Sequence, residues 1–269
     1  MNFITTNHMG GIGNVMFKLS ASISLALDNN VDYIFSNEFL RQVDKDVTCR
    51  GFDDYRIYYD NILRNIKFID VLPSSYRTHE EPTTFSYQPI QYSQGENLLL
   101  KGHFQSEKYF INNKDYIINL FKPTEIIKQT ILEKLPNVQN SISIHIRRGD
   151  YLNFPNHHPQ QSLEYYMSAI NLLGIDKDYI IFSDDLNSIN TMFDFLPNKQ
   201  FISLGENYLD LYAISMCEHN IISNSTFGWW GAYLNENKNK KVIGPNNWFG
   251  SSYSHYNTSD ILPNEWIKF

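Results

Sequence analysis

The segment at residues 142–151 constrains the fold of this chain more than any other feature. Apolar residues at Ile142, Ile144 and Ile146 alternate with polar ones, and two arginines, a glycine and an aspartate follow directly. This pattern predicts a half-buried strand that ends at a tight turn. Ligands of open α/β sheets bind at such strand ends, where two adjacent guanidinium groups suit a diphosphate. Taken alone, the same charges also fit a structural salt bridge at the surface, which is the more common arrangement.

Polar residues that suit a ligand follow two further predicted strands. They are Asp184 with Asp185, after the strand at 179–183, and Ser225 with Thr226, after the strand at 220–223. Because parallel strands end at one edge of a sheet, these residues are expected to lie near the two arginines. Hydroxyls and amides before a helix suit a phosphate, and a carboxylate suits the N–H donors of guanine. Each pair is equally typical of helix N-capping.

A glycine-rich turn between a strand and a helix opens the chain. The strand candidates are at 2–6 and 31–35, and the helix candidate is at 15–27. This β-α-β order predicts a parallel sheet. Gly10, Gly11 and Gly13 lack the third glycine of the dinucleotide-binding fingerprint, which argues against a nicotinamide site and leaves a tight turn as the simpler explanation. With the second α/β pattern after Ser141, the fold predicted is α/β, with two Rossmann-like domains facing a cleft.

Pro136 and the polar residues 137–140 mark the best domain boundary. We therefore predict an N-terminal domain at 1–138, a C-terminal domain at 139–248, and a tail at 249–269 that packs back on the domains. The segment from about 41 to 94 has no clear pattern, and helices are predicted at 114–135 and 186–195.

Composition limits the class of partner. The net charge is −7 and the isoelectric point is near 5.6, which argues against nucleic acid as the main partner. Cys49 and Cys217 lie far apart without a disulfide framework or zinc spacing, which favours a reducing compartment. No signal peptide or integral membrane segment is visible. These features predict a cytoplasmic protein.

Paired aspartates raise the question of a metal. They are Asp53 with Asp54 and Asp184 with Asp185. Neither pair has the spacing or histidine support of a metal site, and two nearby arginines can neutralise a diphosphate instead. The sequence therefore predicts neither a metal nor another cofactor.

Four motifs in order along the chain resemble those of α-1,2-fucosyltransferases, glycosyltransferase family eleven. They read GGIGNVMF at 10–17, GHFQSEKYF at 102–110, HIRRGDY at 145–151 and SNSTFGWWGA at 223–232. The phrases FSDD at 182–185 and PNNWF at 245–249 fit as well. The chain departs from the family pattern at Val15, where Gln is usual, and at His103, where an aromatic residue is common.

The resemblance implies a GT-B architecture and a metal-free inverting transfer from GDP-β-L-fucose to the 2-hydroxyl of a terminal galactose. The N-terminal domain and the loop at 104–110 would bind the galactose-terminated oligosaccharide, and the C-terminal domain would bind GDP-fucose. The lack of an anchor suits a bacterial cell or a virus-infected host cell. Two alternatives stay open, a fucosyltransferase of different regiospecificity and a sugar-nucleotide or glycan-binding protein without turnover.

The same resemblance assigns roles to individual residues. Arg147 would stabilise the leaving β-phosphate. The resemblance does not identify the general base, for which Asp150 is the first candidate and Glu107 the second. A salt bridge from Asp150 to Arg148 is the alternative for Asp150. The donor-binding residues implied are Gly11, Gly13, Asn14, His145, Arg147, Arg148, Asp184, Asp185, Asn224, Ser225 and Thr226.

Overall fold

Parallel strands build every sheet in the described part of the chain. The computed structural model describes residues 2–7, 10–37, 56–73, 75–82 and 85–269. Cys49 and the pair Asp53 and Asp54 therefore lie outside the described residues. The chain divides into two compact units, one of residues 1–122 with 256–263 and the other of residues 123–255 with 264–269.

Strands and helices alternate along both units. The strands are β1 (Phe3–Thr6), β2 (Asp32–Tyr33), β3 (Phe35–Ser36), β4 (Phe68–Ile69), β5 (Arg77–Glu80), β6 (Leu98–Lys101), β7 (Ile142–Ile146), β8 (Tyr179–Ser183), β9 (Lys199–Ile202), β10 (His219–Ile222), β11 (Val242–Gly244) and β12 (Ile267–Lys268). The helices are α1 (Ile12–Asn29), α2 (Arg56–Tyr59), α3 (Lys114–Phe121), α4 (Glu125–Lys134), α5 (Leu163–Leu173), α6 (Asn207–Met216) and α7 (Thr226–Tyr233).

The sheet of the first unit has the order β2-β1-β6-β5. Strand β1 lies in its middle and pairs in parallel with β2 and β6. Helix α1 follows β1 after the glycine turn and buries the side chains of Val15, Met16, Leu19 and Ile23. The predicted β-α-β opening is confirmed in its order, although the second strand is split into two short ones, of which β3 pairs with β4 instead.

The sheet of the second unit has the order β9-β8-β7-β10-β11-β12. The chain runs outward from β7 to β9 on one side and from β10 to β12 on the other. The strand order therefore reverses between β7 and β10, and such a reversal opens a crevice at the carboxyl ends of the two strands where ligands bind. Ile142, Ile144 and Ile146 are buried in the core, as predicted. Ser143 and His145 between them are buried as well, so the strand is not half-buried as predicted, because β7 is a central strand and is covered on both faces.

The helix predicted at 114–135 is interrupted. Lys122 precedes Pro123 and has extended backbone angles, φ −61° and ψ 152°, because a proline disfavours the helical conformation of the residue before it. Thr124 then caps α4, its side chain accepting a bond from the amide of Ile127 at 3.2 Å. The two compact units divide at this proline, between residues 122 and 123, rather than between 138 and 139, because α4 groups with the second unit.

The helix predicted at 186–195 is wrong. Only a short 3-10 helix at Asn187–Ile189 forms there. Asparagine, serine and threonine side chains compete with the backbone for hydrogen bonds and so disfavour a longer helix. The tail at 249–269 contributes to both units, since 256–263 belong to the first and β12 to the second. Within the described ranges, no helix combines the length and the apolar character that crossing a membrane requires.

Candidate functional site

The strand-order reversal of the second unit brings together most of the residues singled out by sequence. Strand β7 ends at Ile146, immediately before Arg147, and β10 ends at Ile222, immediately before Ser223. His145 and Ile222 are paired in the ladder, so the segments after the two strands leave the sheet side by side. Strand β8, on the other side of β7, delivers Asp184 to the same edge.

Two carboxylates hold the guanidinium of Arg147. Its Nη2 lies 2.8 Å from Oδ1 of Asp150 and its Nη1 lies 3.0 Å from Oδ2 of Asp184. The guanidinium carbon also lies 5.4 Å from the centre of the Tyr151 ring. Charge-assisted bonds of this kind fix the orientation of the planar group. About a quarter of the Arg147 side chain stays exposed, so the cation remains accessible to an anion from solvent.

Asp150 pairs with Arg147, and not with Arg148 as the alternative from sequence supposed. Arg148 instead uses its main-chain amide, which donates to Oδ1 of Asp184 at 2.8 Å. Gly149 follows with a φ of 22°, and this turn carries Asp150 back toward the preceding guanidinium. The Nε atom of Arg148 is buried without a hydrogen-bond partner among the described residues.

His145 lies beneath the first turn of α7. It is 5% exposed, and its Nδ1 lies 3.2 Å from Oγ of Ser223. A Cβ added to Gly228 would come within 2.6 Å of the same Nδ1, so only glycine lets the helix approach the ring this closely. Burial lowers the pKa of His145 to about 4, with the nearby Arg147 also lowering it and Asp184 opposing the shift. The imidazole is therefore neutral at pH 7.

The N-terminus of α7 faces the same edge. Ser225 is the N-cap, and its hydroxyl makes no capping bond to the helix. Thr226 begins the helix, and the unpaired amides of a first helical turn attract anions. The Asn224 side chain anchors the loop instead, since it donates to the carbonyl of Trp248 at 3.0 Å and accepts from Gln161 at 3.0 Å.

Asp185 has a local role in the structure. Its Oδ1 accepts a bond from the amide of Ser188 at 3.3 Å, which is the N-capping arrangement that the sequence left open.

An aromatic pair lies next to the guanidinium of Arg147. The Tyr151 ring stacks on His158 with centroids 4.6 Å apart, and the Tyr151 hydroxyl donates to the carbonyl of Asn224 at 3.0 Å.

The remaining predicted residues lie in the first unit. Gly11 is the N-cap of α1, and Asn14 in its first turn accepts a bond from Nε2 of Gln105 at 2.9 Å. Gly13 is buried within the same helix. Glu107 forms an ion pair with Lys114, Oε2 to Nζ 3.5 Å.

Sequence reasoning missed the partners that support these residues. Gln161 and Trp248 fix the loop around Asn224, and Glu81 holds the loop after β6. Trp248 lies in the PNNWF phrase at 245–249, but the sequence does not indicate which residues its backbone contacts. Glu81 follows β5, whose residues are mostly exposed, so no alternation of apolar residues indicated a strand there. In the described part of the chain, no three His, Cys, Asp or Glu side chains come together as a metal site.

Three curated relatives cover different shares of the chain. An O-antigen biosynthesis glycosyltransferase of Escherichia coli, WbnK, is 32% identical over 63% of this chain and 60% of its own length. An α-1,2-colitosyltransferase of the same species is 28% identical over 100% of this chain and 99% of that protein. A galactoside 2-α-L-fucosyltransferase of Caenorhabditis elegans is 27% identical over 87% of the chain and 70% of that protein.

Solved structures of fucosyltransferases share the fold. The NodZ α-1,6-fucosyltransferase soaked with GDP-fucose matches with a TM-score of 0.50 and 14% identity, over 87% of this chain and 93% of that one. POFUT1 in complex with GDP matches with a TM-score of 0.51 and 10% identity, over 90% of this chain and 97% of that one. The architecture is therefore of the GT-B type. The family model for glycosyl transferase family 11 matches residues 1–269, and the chain belongs to that family.

Proposed function

We propose that this protein transfers L-fucose from GDP-β-L-fucose to the 2-hydroxyl of a terminal galactose, with inversion at the anomeric carbon and without a metal. The observation that carries the proposal is the Arg147 guanidinium, held by Asp150 and Asp184 at the carboxyl end of β7. A partly exposed, oriented cation beside a helix N-terminus is suited to a diphosphate leaving group. The galactoside 2-α-L-fucosyltransferase relative supports the acceptor and the linkage.

The reaction is a single displacement. The acceptor oxygen bonds to the anomeric carbon of fucose while the bond to the β-phosphate oxygen breaks, through an oxocarbenium-like transition state. Negative charge grows on GDP as that bond breaks. Arg147 and the amides at the start of α7 stabilise this charge, which lowers the barrier to departure.

The donor site of this proposal is assigned residue by residue. We assign guanine or its ribose to Asp185, because Asp184 is engaged by Arg147 and Asp185 makes only a local bond to the amide of Ser188 among the contacts given above. His145 is neutral and packs under α7, and it contributes shape and a ring nitrogen rather than charge. The proposed donor-binding residues of the second unit are His145, Arg147, Arg148, Asp184, Asp185, Asn224, Ser225 and Thr226, while Gly11, Gly13 and Asn14 of the first unit stay a prediction from the sequence.

Asp150 is the first candidate for the general base and Glu107 the second. Either carboxylate would take the proton of the acceptor hydroxyl as the new bond forms. Asp150 lies in the second unit with Arg147, whereas Glu107 lies in the first unit and pairs with Lys114. Since GDP is a good leaving group, we expect charge stabilisation by Arg147 to contribute more than the base does.

A second candidate function is transfer of a different deoxysugar. A relative that aligns with the whole chain is named an α-1,2-colitosyltransferase, so the same linkage with an activated colitose as donor is the alternative. A different regiospecificity with fucose, and binding without turnover, are the further alternatives. The cytoplasmic location, in a bacterial cell or a virus-infected host cell, stays a prediction from the sequence.

Release of GDP from GDP-fucose in the presence of lactose or N-acetyllactosamine tests the proposal. We expect acceptor-dependent release that persists in EDTA, and a product whose fucose is α-1,2-linked by NMR. Arg147→Ala should lower kcat by about a hundredfold or more, since loss of one stabilising donor costs about 3 kcal/mol. Loss of release in EDTA would contradict the metal-free reaction. Tight GDP-fucose binding without GDP release on any galactoside would contradict the proposed acceptor. An absence of GDP-fucose binding would contradict the proposed donor.

A further inference from the structure

A half-buried carboxylate in the first unit holds the loop that follows β6. Glu81 comes directly after β5, and its Oε2 accepts bonds from the amides of His103 at 2.6 Å and Phe104 at 2.9 Å. Its Oε1 accepts a bond from the Tyr109 hydroxyl at 3.3 Å. One side chain thus joins both ends of the segment from 103 to 109.

The backbone of this loop is shaped around that carboxylate. A Cβ added to Gly102 would lie 2.4 Å from Cβ of Glu81 and 2.6 Å from its Oε2, so only glycine permits the approach. Phe104 has a φ of 51°, a left-handed conformation that costs a non-glycine residue energy unless its surroundings impose it. The Phe104 side chain is fully buried. The amide bonds to Glu81 and the buried ring together supply that constraint.

The loop after β6 also contacts the start of α1, next to the glycine turn. Gln105 follows Phe104, is 6% exposed, and donates from Nε2 to Oδ1 of Asn14 at 2.9 Å. Asn14 lies in the first turn of α1, where its amide donates to the carbonyl of Gly11 at 2.9 Å. A chain of contacts therefore runs from Glu81 through the loop to the start of α1.

Neighbouring groups stabilise the charged form of the Glu81 carboxylate against the effect of burial. Burial raises the pKa of Glu81, while the two amides, the Tyr109 hydroxyl and the charge of Lys18 oppose the rise. Burial lowers the pKa of Lys18 to about 8, and Glu81 opposes that shift. Such partners compensate for the hydration that a half-buried carboxylate loses.

We propose that Glu81 is a positioning residue for the acceptor, because it fixes the loop at 102–106 between β6 and the start of α1. The inference rests on the proposed function and on the family resemblance, which implies that the N-terminal domain and the loop at 104–110 bind the galactose-containing acceptor. Glu81 makes no contact with the reacting atoms in this account and acts through the loop it holds.

The test compares Glu81→Ala, Glu81→Gln and the neighbouring Glu80→Ala. Glu80 is a matched control, because it lies one residue earlier on β5, is exposed, and forms a surface ion pair with Lys101 at 2.8 Å. We expect Glu81→Ala to raise the KM for lactose about tenfold or more, and to raise the Kd for GDP by calorimetry by a clearly smaller factor, because the contacts from Glu81 end at Asn14, which is a predicted donor-binding residue. Glu81→Gln keeps one acceptor oxygen for the two amides, so it should recover part of the loss. Glu80→Ala should match the wild type.

Amide hydrogen exchange provides a readout that does not depend on turnover. We expect the amides of His103 and Phe104 to exchange faster in Glu81→Ala than in Glu80→Ala. An unchanged KM for lactose, or an equal loss of lactose and GDP affinity with a lower Tm, would overturn the inference. If the wild type releases no GDP with any galactoside, the proposed function itself is wrong. If the wild type releases GDP and Glu81→Ala has the same KM for lactose, the proposed function stands and only this inference is wrong.

Discussion

The guanidinium of Arg147 lies against the carboxylate of Asp184, which arrives from the neighbouring strand. Nη1 of Arg147 is 3.0 Å from Oδ2 of Asp184, and Oδ1 of the same carboxylate accepts the amide of Arg148 at 2.8 Å. Asp184 therefore fixes both the side chain of one arginine and the backbone of the next. This contact therefore fixes the orientation of the Arg147 guanidinium at the carboxyl end of β7.

The two adjacent aspartates are expected to have separable roles. Asp184→Asn removes the charge that orients Arg147, so we expect kcat to fall about tenfold to a hundredfold, since a hydrogen bond to a charged group contributes about 1.5–3 kcal/mol. Asp185→Asn should instead raise the KM for GDP-fucose and change kcat by less than about threefold. Steady-state kinetics with each substrate varied in turn measures both. The reverse pattern would show that Asp185, and not Asp184, supports the leaving group.

Asp150 and Glu107 are distinguished by a matched pair of amide substitutions. A positioned general base typically contributes about a hundredfold or more to the rate. We expect Asp150→Asn to lower kcat by about that factor with little change in the KM for the acceptor, and Glu107→Gln to lower it by less than about threefold. Single-turnover GDP release measures the chemical step in both variants. A larger loss in Glu107→Gln would move the base to the first unit.

The contact between Gly228 and His145 is expected to limit what α7 tolerates. Gly228→Ala places a Cβ 2.6 Å from Nδ1 of His145, so we expect a loss of about 1–3 kcal/mol in the free energy of unfolding. In a His145→Ala background the added methyl has room, and the same substitution should cost clearly less. Urea unfolding of the four proteins gives the coupling energy. Equal costs in the two backgrounds would rule out the contact as the cause.

The buried imidazole of His145 predicts a pH dependence of stability. Burial lowers its pKa to about 4 from the ordinary 6.5, so below pH 6.5 the unfolded chain binds a proton that the folded chain does not. The stability that depends on this group is present above pH 6.5 and is lost as the pH falls toward 4, by an amount on the order of 3 kcal/mol.

Urea unfolding between pH 7 and pH 4.5 measures this effect. His145→Gln keeps a polar side chain that cannot titrate in this range, so its stability should fall less steeply than that of the wild type. Other buried histidines titrate equally in both proteins and cancel in the comparison. Parallel stability curves would show that His145 titrates normally in the folded state.

The sequence by itself determined the local elements of the second unit. The alternating isoleucines predicted the strand β7, and the strand predicted at 179–183 is β8. Such features depend on neighbours along the chain, which a pattern displays directly. The order of parallel strands then implied that polar residues after β7, β8 and β10 share an edge.

Tertiary structure alone decided which of these residues contact one another. Asp150 pairs with Arg147 rather than Arg148, and Glu81 joins a loop that begins more than twenty residues later. The exposed strand β5 and the short edge strand β12 carry no alternation of apolar residues, because neither is buried enough to require it. Ion pairs and close approaches of this kind depend on the turn after each strand and on the ladder register, which bring together side chains that no spacing in the sequence relates.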